Sequence, residues 1–137
     1  MFTTRASWNI SVMIMTAFGL PKGSEEEKAT RHQAIQAATK TAIEVPFRVM
    51  EVAHASLQLI RAMAETGNPN SVSDAGVGAL CVRAAVLGAA LNVRINAGGY
   101  QDKVFVSEMV AKVKNIEEET VRVEAEIMRI VGEKIGQ

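Results

Sequence analysis

Gly67 to Gly99 reads GNPNSVSDAGVGALCVRAAVLGAALNVRINAGG, and the fold turns on how this stretch is built. Gly67 and Pro69 stop the helix before them, while Ser73 or Asp74 can accept a hydrogen bond from the free N–H groups of a following turn. A helix is therefore predicted to start near Asp74. Between Ala75 and Val93 only Arg83 breaks the apolar run, so protein is expected around most of the helix circumference. Gly76, Gly78, Ala79, Ala84, Ala85, Gly88, Ala89 and Ala90 are the positions expected to face neighbours, and they carry almost no bulk. A glycine inside a helix costs roughly 1 kcal/mol against alanine, and close backbone approach is the expected compensation. This is the predicted central helix.

An apolar run of about 18 residues is also the length at which a membrane span is considered. The Ala and Gly content, Arg83 near the middle and the lack of flanking aromatics apart from Tyr100 favour a buried helix over a span, and no membrane partner is expected. At its far end Asn92 and Asn96 stand one turn apart on a shared face. Two readings stay open for them: capping and bonding to nearby backbone, or lining a polar pocket.

With 137 residues, 1–137 is read as a single helical domain long enough to bury a modest core. The formal charge is zero, so no field recruits nucleic acid or anionic lipid. Aromatics at 4% argue against sandwiches and base-stacking platforms. Cys81 stands alone and only two histidines are present, so no internal disulfide and no zinc set is expected, and a cytoplasmic protein is the simplest reading. Met1 to Leu20 has the outline of a secretory leader but no small-residue cleavage site, and it is read instead as a first helix with Ile10, Met13, Ile14, Ala17 and Phe18 in register.

Ser24-Glu25-Glu26-Glu27 is a capping box that opens a helix running to about Glu44. Pro46 has no N–H, which frees the carbonyl of Ala42 and predicts a kink or restart. Phe47, Met50, His54, Leu57, Arg61 and Ala64 form the seam of the next segment. His54 on that seam is read as a hydrogen-bonded core residue, and His32 as solvated. From Gln101 to Lys134 an amphipathic pattern buries Val104, Met109, Val113, Ile116, Val123, Ile127, Ile130 and Val131, as one bent helix or two. The class is all-α: a multi-helix array of long antiparallel helices, about five in this chain.

Four blocks taken in order resemble the cyclodeaminase/cyclohydrolase family: Leu20-Pro21-Lys22 with Glu25 to Lys28 and Arg31; Val45-Pro46; Gly67-Asn68 with Ser73-Asp74; and Asn92-Val93-Arg94-Ile95-Asn96. That family includes formiminotetrahydrofolate cyclodeaminases, the second domain of formiminotransferase-cyclodeaminase, and methenyltetrahydrofolate cyclohydrolases. The resemblance implies helical dimerisation, with reduced folate bound at or near the interface of a homodimer. It implies folate one-carbon metabolism: ring closure of 5-formiminotetrahydrofolate to 5,10-methenyltetrahydrofolate with loss of ammonia, or hydrolytic opening of the methenyl ring. The tetrahydrofolate derivative is the substrate, and no separate cofactor or metal is implied.

Carried over by position, Lys22 would pair with a folate carboxylate, with Arg31 as second choice. Ser73, Asp74, Asn92 and Asn96 would hydrogen-bond the pterin or orient the reacting centre, and Asp74 is the one carboxylate among them, hence the candidate catalytic residue. Two departures from the family follow. Ser7 stands near the place of the family's proposed catalytic aspartate, and a serine does not shuttle protons at neutral pH. The family's glycine-rich turn and first helical hairpin are also not found, so the chain is read as shortened at its N-terminus. The alternative to an enzyme is a catalytically inactive helical dimerisation or folate-binding remnant.

Overall fold

The computed structural model describes the backbone of residues 3–136 and the side chains of residues 10–136. Four α-helices follow one another: α1 (Thr3–Gly19), α2 (Glu25–Thr66), α3 (Val72–Ala97) and α4 (Lys103–Ile135), with a 3-10 turn at Pro69–Ser71. The expected five elements become four because α2 runs unbroken through Pro46 and because 103–135 is one helix. Ser7 lies in α1, but its side chain is outside the described residues.

The capping box at the start of α2 forms as read. The Ser24 hydroxyl accepts from the Glu27 N–H at 3.1 Å, and the Glu27 carboxylate accepts from the N–H groups of Ser24 and Gly23. At the other end the Gly67 N–H donates to the Met63 carbonyl, and a Cβ on Gly67 would lie 2.3 Å from that oxygen. Only glycine fits there. The Lys134 ammonium donates to the carbonyls of Ala64 and Glu65, both at 2.6 Å, and so satisfies acceptors that the helix end leaves free.

α3 starts two residues earlier than the sequence suggested. Ser71 occupies the cap position and its side chain accepts no cap hydrogen bond, whereas Ser73 and Asp74 already lie in the first turn. The preceding 3-10 turn, closed by Asn68 accepting from the Asn70 N–H, carries the chain into the helix and takes over the role assigned to Ser73 or Asp74.

α2, α3 and α4 pack pairwise around one core, with Ile43, Met50, Leu57, Val86, Val93, Val113 and Ile127 among its fully buried members. α3 runs antiparallel to α2, since Asn96 meets Ala42 and Gly78 meets Ile60. It also runs antiparallel to α4, with Arg94 on Glu117 and Gly76 against Val131. The Gln36 side chain clasps the α3–α4 turn, donating to the Gly99 carbonyl at 3.2 Å and accepting from the Gln101 N–H at 2.9 Å. α1 folds back on α2.

The central helix is not wrapped as expected. Ala75, Ala79, Val82, Val86, Ala90, Val93 and Ala97 are buried, but Val77, Leu80, Cys81, Ala84, Ala85, Gly88, Leu91 and Ile95 are exposed. Two helices cover two sides of a cylinder, and the third side stays open. Three further positions read as facing the core are exposed: Val104 and Phe18, near helix ends where few neighbours remain, and Met13, within α1.

Candidate functional site

Asn96 is half-buried where α3 meets the middle of α2. Its amide donates to the Ala42 carbonyl at 3.2 Å and to the Asn92 carbonyl at 2.8 Å. Pro46 is the residue that deprives Ala42 of its helical partner, so a side chain from α3 replaces the missing backbone donor. Asn92, one turn back, is exposed and donates only to the Gly88 carbonyl of its own helix, at a long 3.4 Å. Of the two asparagines, Asn96 serves the backbone and Asn92 keeps its amide available.

Ser73 and Asp74 are exposed at the opposite end of α3. Eighteen helical residues separate Asp74 from Asn92, about 27 Å along the axis. Lys22 is exposed in the α1–α2 connection, further still beyond the α3–α4 turn. Arg31 is engaged: its guanidinium donates to the Phe18 carbonyl at 3.3 and 3.2 Å and stacks over the Phe18 ring, closing the end of α1. The six residues singled out in the sequence therefore do not converge within this chain.

A polar cluster that the sequence reading did not assemble lies between α2 and α4. His54 Nδ1 sits 3.0 Å from the Thr120 hydroxyl, and Nε2 sits 3.4 Å from the Glu119 carboxylate. Thr120 is fully buried, and Glu124, one turn on, is 5% exposed and faces Arg83 of α3 at 3.5 Å. Both imidazole nitrogens are occupied by protein groups, so His54 joins two helices rather than offering a free base. The sequence signal was there: Thr120 and Glu124 interrupt the apolar spacing of α4 one turn apart.

Charged pairs line the outer edges of the same helices. Arg61 bridges Glu65 and Glu126, and Arg94 grips Glu117 with both terminal nitrogens. Donating to the Glu117 carboxylate holds the Arg94 guanidinium above its ordinary pKa, outweighing desolvation. Between α1 and α2 runs a groove of about 360 Å³ lined by Val12, Met13, Ala17, Leu20, Ala34 and Ala38, with Thr16 as its polar contribution. A pterin ring needs several donors and acceptors, which this groove does not supply.

The profile of the formiminotransferase-cyclodeaminase family matches residues 11–115. Over 123 residues the chain is 39% identical to the methenyltetrahydrofolate cyclohydrolase of Methylorubrum extorquens, covering 90% of this chain and 59% of that protein. It is 33% identical over 120 residues to the formimidoyltransferase-cyclodeaminase of Gallus gallus, covering 88% of this chain and 22% of that protein. The Rattus norvegicus formimidoyltransferase-cyclodeaminase is 30% identical over 103 residues, 75% of this chain and 19% of that protein. The matched region takes in α2, α3, the clasped turn and the first part of α4, so the helices that carry Asn96, Asp74 and the open face of α3 are those shared with these proteins. The chain belongs to the formiminotransferase-cyclodeaminase family.

Proposed function

We propose that this chain serves folate one-carbon metabolism in the cytoplasm, with 5,10-methenyltetrahydrofolate as the substrate of a cyclohydrolase reaction. The carrying observation is the 39% identity, spread over 90% of the chain, to a protein named for that reaction. Water adds to the methenyl carbon between the two ring nitrogens, and the ring opens as one carbon–nitrogen bond breaks. A base must take the proton from that water. Asp74, exposed and with no side-chain hydrogen bond among the described residues, is the carboxylate assigned to it. Asn92 offers an amide to the pterin, and Lys22, exposed in the α1–α2 connection, a cation to the glutamate carboxylates. Ring closure of 5-formiminotetrahydrofolate would call on the same groups of this chain, and two of its relatives are named formimidoyltransferase-cyclodeaminases.

The spacing of Asp74 and Asn92 along α3, with Lys22 beyond its far end, favours a second reading, a chain that binds reduced folate without turning it over. Loss of the methenyl chromophore, followed with the purified chain, separates the two. Turnover abolished by Asp74→Asn supports the cyclohydrolase, and binding without turnover supports the second reading. A chain that neither binds nor converts the methenyl compound overturns both.

A further inference from the structure

The groove between α1 and α2 lacks the donors a pterin needs, but it has a floor, two walls and a charged end. Met13, Ala17 and Leu20 of α1 recur at spacings of four and three, and Ala34 and Ala38 of α2 line the opposite side one turn apart. Ala17 and Ala38 form the floor at 4% and 3% exposed, while Val12 and Met13 stand at the rim, 56% and 43% exposed. From α2 only alanines line the groove, Ala37 being the third, so no side chain of that wall reaches across to fill the space of about 360 Å³. From Val12 to Leu20 the groove follows α1 for about 12 Å.

Arg31 continues the line of Ala38 and Ala34 one turn further, toward the α1–α2 connection and the Leu20 end of the groove. Its guanidinium is held in place, because Nε and Nη2 both donate to the Phe18 carbonyl. No carboxylate pairs with it among the described residues: Lys28 takes Glu25, and Glu27 serves the capping box. The edge between its two terminal nitrogens is thus left for an anion, and a carboxylate fits that edge. We propose that the groove binds a medium-chain acyl carboxylate, its chain laid along Ala17 and Ala38 and its head group on Arg31. Walls with Thr16 as their only polar side chain do not recognise a sugar or a nucleobase, the cation at one end selects an anionic head, and a length of about 12 Å sets the chain at about ten carbons. The site uses none of Asp74, Asn92 and Lys22, so it stands or falls apart from the folate reading.

Calorimetric titration of the whole chain with hexanoate, octanoate, decanoate and dodecanoate, each below its micelle concentration, tests the site. Affinity is expected to rise about two- to fourfold per methylene up to about ten carbons and then to level off, since further methylenes leave the groove. Decyltrimethylammonium, with the same chain and the opposite charge, is expected to bind at least about tenfold more weakly than decanoate, and Arg31→Gln is expected to remove that preference. Ala37→Leu fills the groove from an exposed position with a residue that favours helix, and it is expected to abolish decanoate binding with unchanged circular dichroism. Absence of decanoate binding to the wild-type chain overturns the proposal. So does binding that Ala37→Leu leaves intact or that treats the two head groups alike, because the exposed apolar face of α3 would give either result. Displacement of decanoate by methenyltetrahydrofolate would assign the groove to the folate tail and overturn the acyl ligand as well.

Discussion

The Asn96 amide donates to the Ala42 carbonyl at 3.2 Å, which is the acceptor that Pro46 leaves without its helical N–H. A 42-residue helix thus passes a proline without ending, because a neighbouring helix supplies the donor. Asn96→Ala should leave that carbonyl unsatisfied and cost roughly 1–3 kcal/mol. Pro46→Ala restores the backbone donor, so the double variant should lose less than the sum of the singles, by at least about 0.5 kcal/mol. Urea unfolding of the four-member cycle checks this, and strict additivity would show that the bond carries no stability.

Lys134 ties the end of α4 to the end of α2 through two carbonyls at 2.6 Å. Lys134→Met keeps the aliphatic stem but removes both charge-assisted donors. A loss of about 1–2 kcal/mol is expected, together with faster amide exchange confined to the last turn of α2. Uniform acceleration across the chain would point to global destabilisation instead.

Two glycines of α3 should respond in opposite directions. At Gly76 a Cβ would lie 3.2 Å from a methyl of Val131, so Gly76→Val pushes α4 away and should cost about 1–3 kcal/mol. At Gly78 the nearest atom of Ile60 is 3.5 Å away, an ordinary contact, and Gly78→Ala should stabilise by up to about 1 kcal/mol through helix propensity. Thermal unfolding of both variants decides whether close approach on this helix is local to Gly76.

Thr120→Val keeps the shape of a fully buried side chain but leaves His54 Nδ1 without its partner at 3.0 Å. The expected cost is about 1–3 kcal/mol, the price of a stranded polar group. His54→Leu combined with Thr120→Val should recover part of it, since both halves of the pair are then apolar. The denaturant midpoints of the three variants measure this.

Much of this architecture was legible in the residues. The capping box at Ser24 to Glu27, the seam from Met50 through Leu57 to Ala64, and the stop at Gly67 all follow from local chemistry, and all appear where read. His54 was read as a hydrogen-bonded core residue, and Thr120 is its partner. What failed had a non-local cause. The start of α3 is set by a 3-10 turn that residue preferences do not separate from a helix, and the passage of α2 through Pro46 depends on a residue fifty positions later. The covering of α3 depends on how many helices surround it, which an apolar run does not count. The site residues were placed by family position, although the residues themselves already set Asp74 at the start and Asn92 at the far end of one helix, as α3 has them.

α2 has 42 residues and α3 has 26, and the clasp at Gln36 marks where α3 and its turn end. The first eleven residues of α2, about 16 Å, therefore project past the three-helix sheaf with α1 alongside. Such a cantilever is secured by one shallow groove and the Arg31 tie to Phe18, not by the central core. Warming or a protease acting near Lys22 should detach this arm first, while the sheaf behind it stays closed.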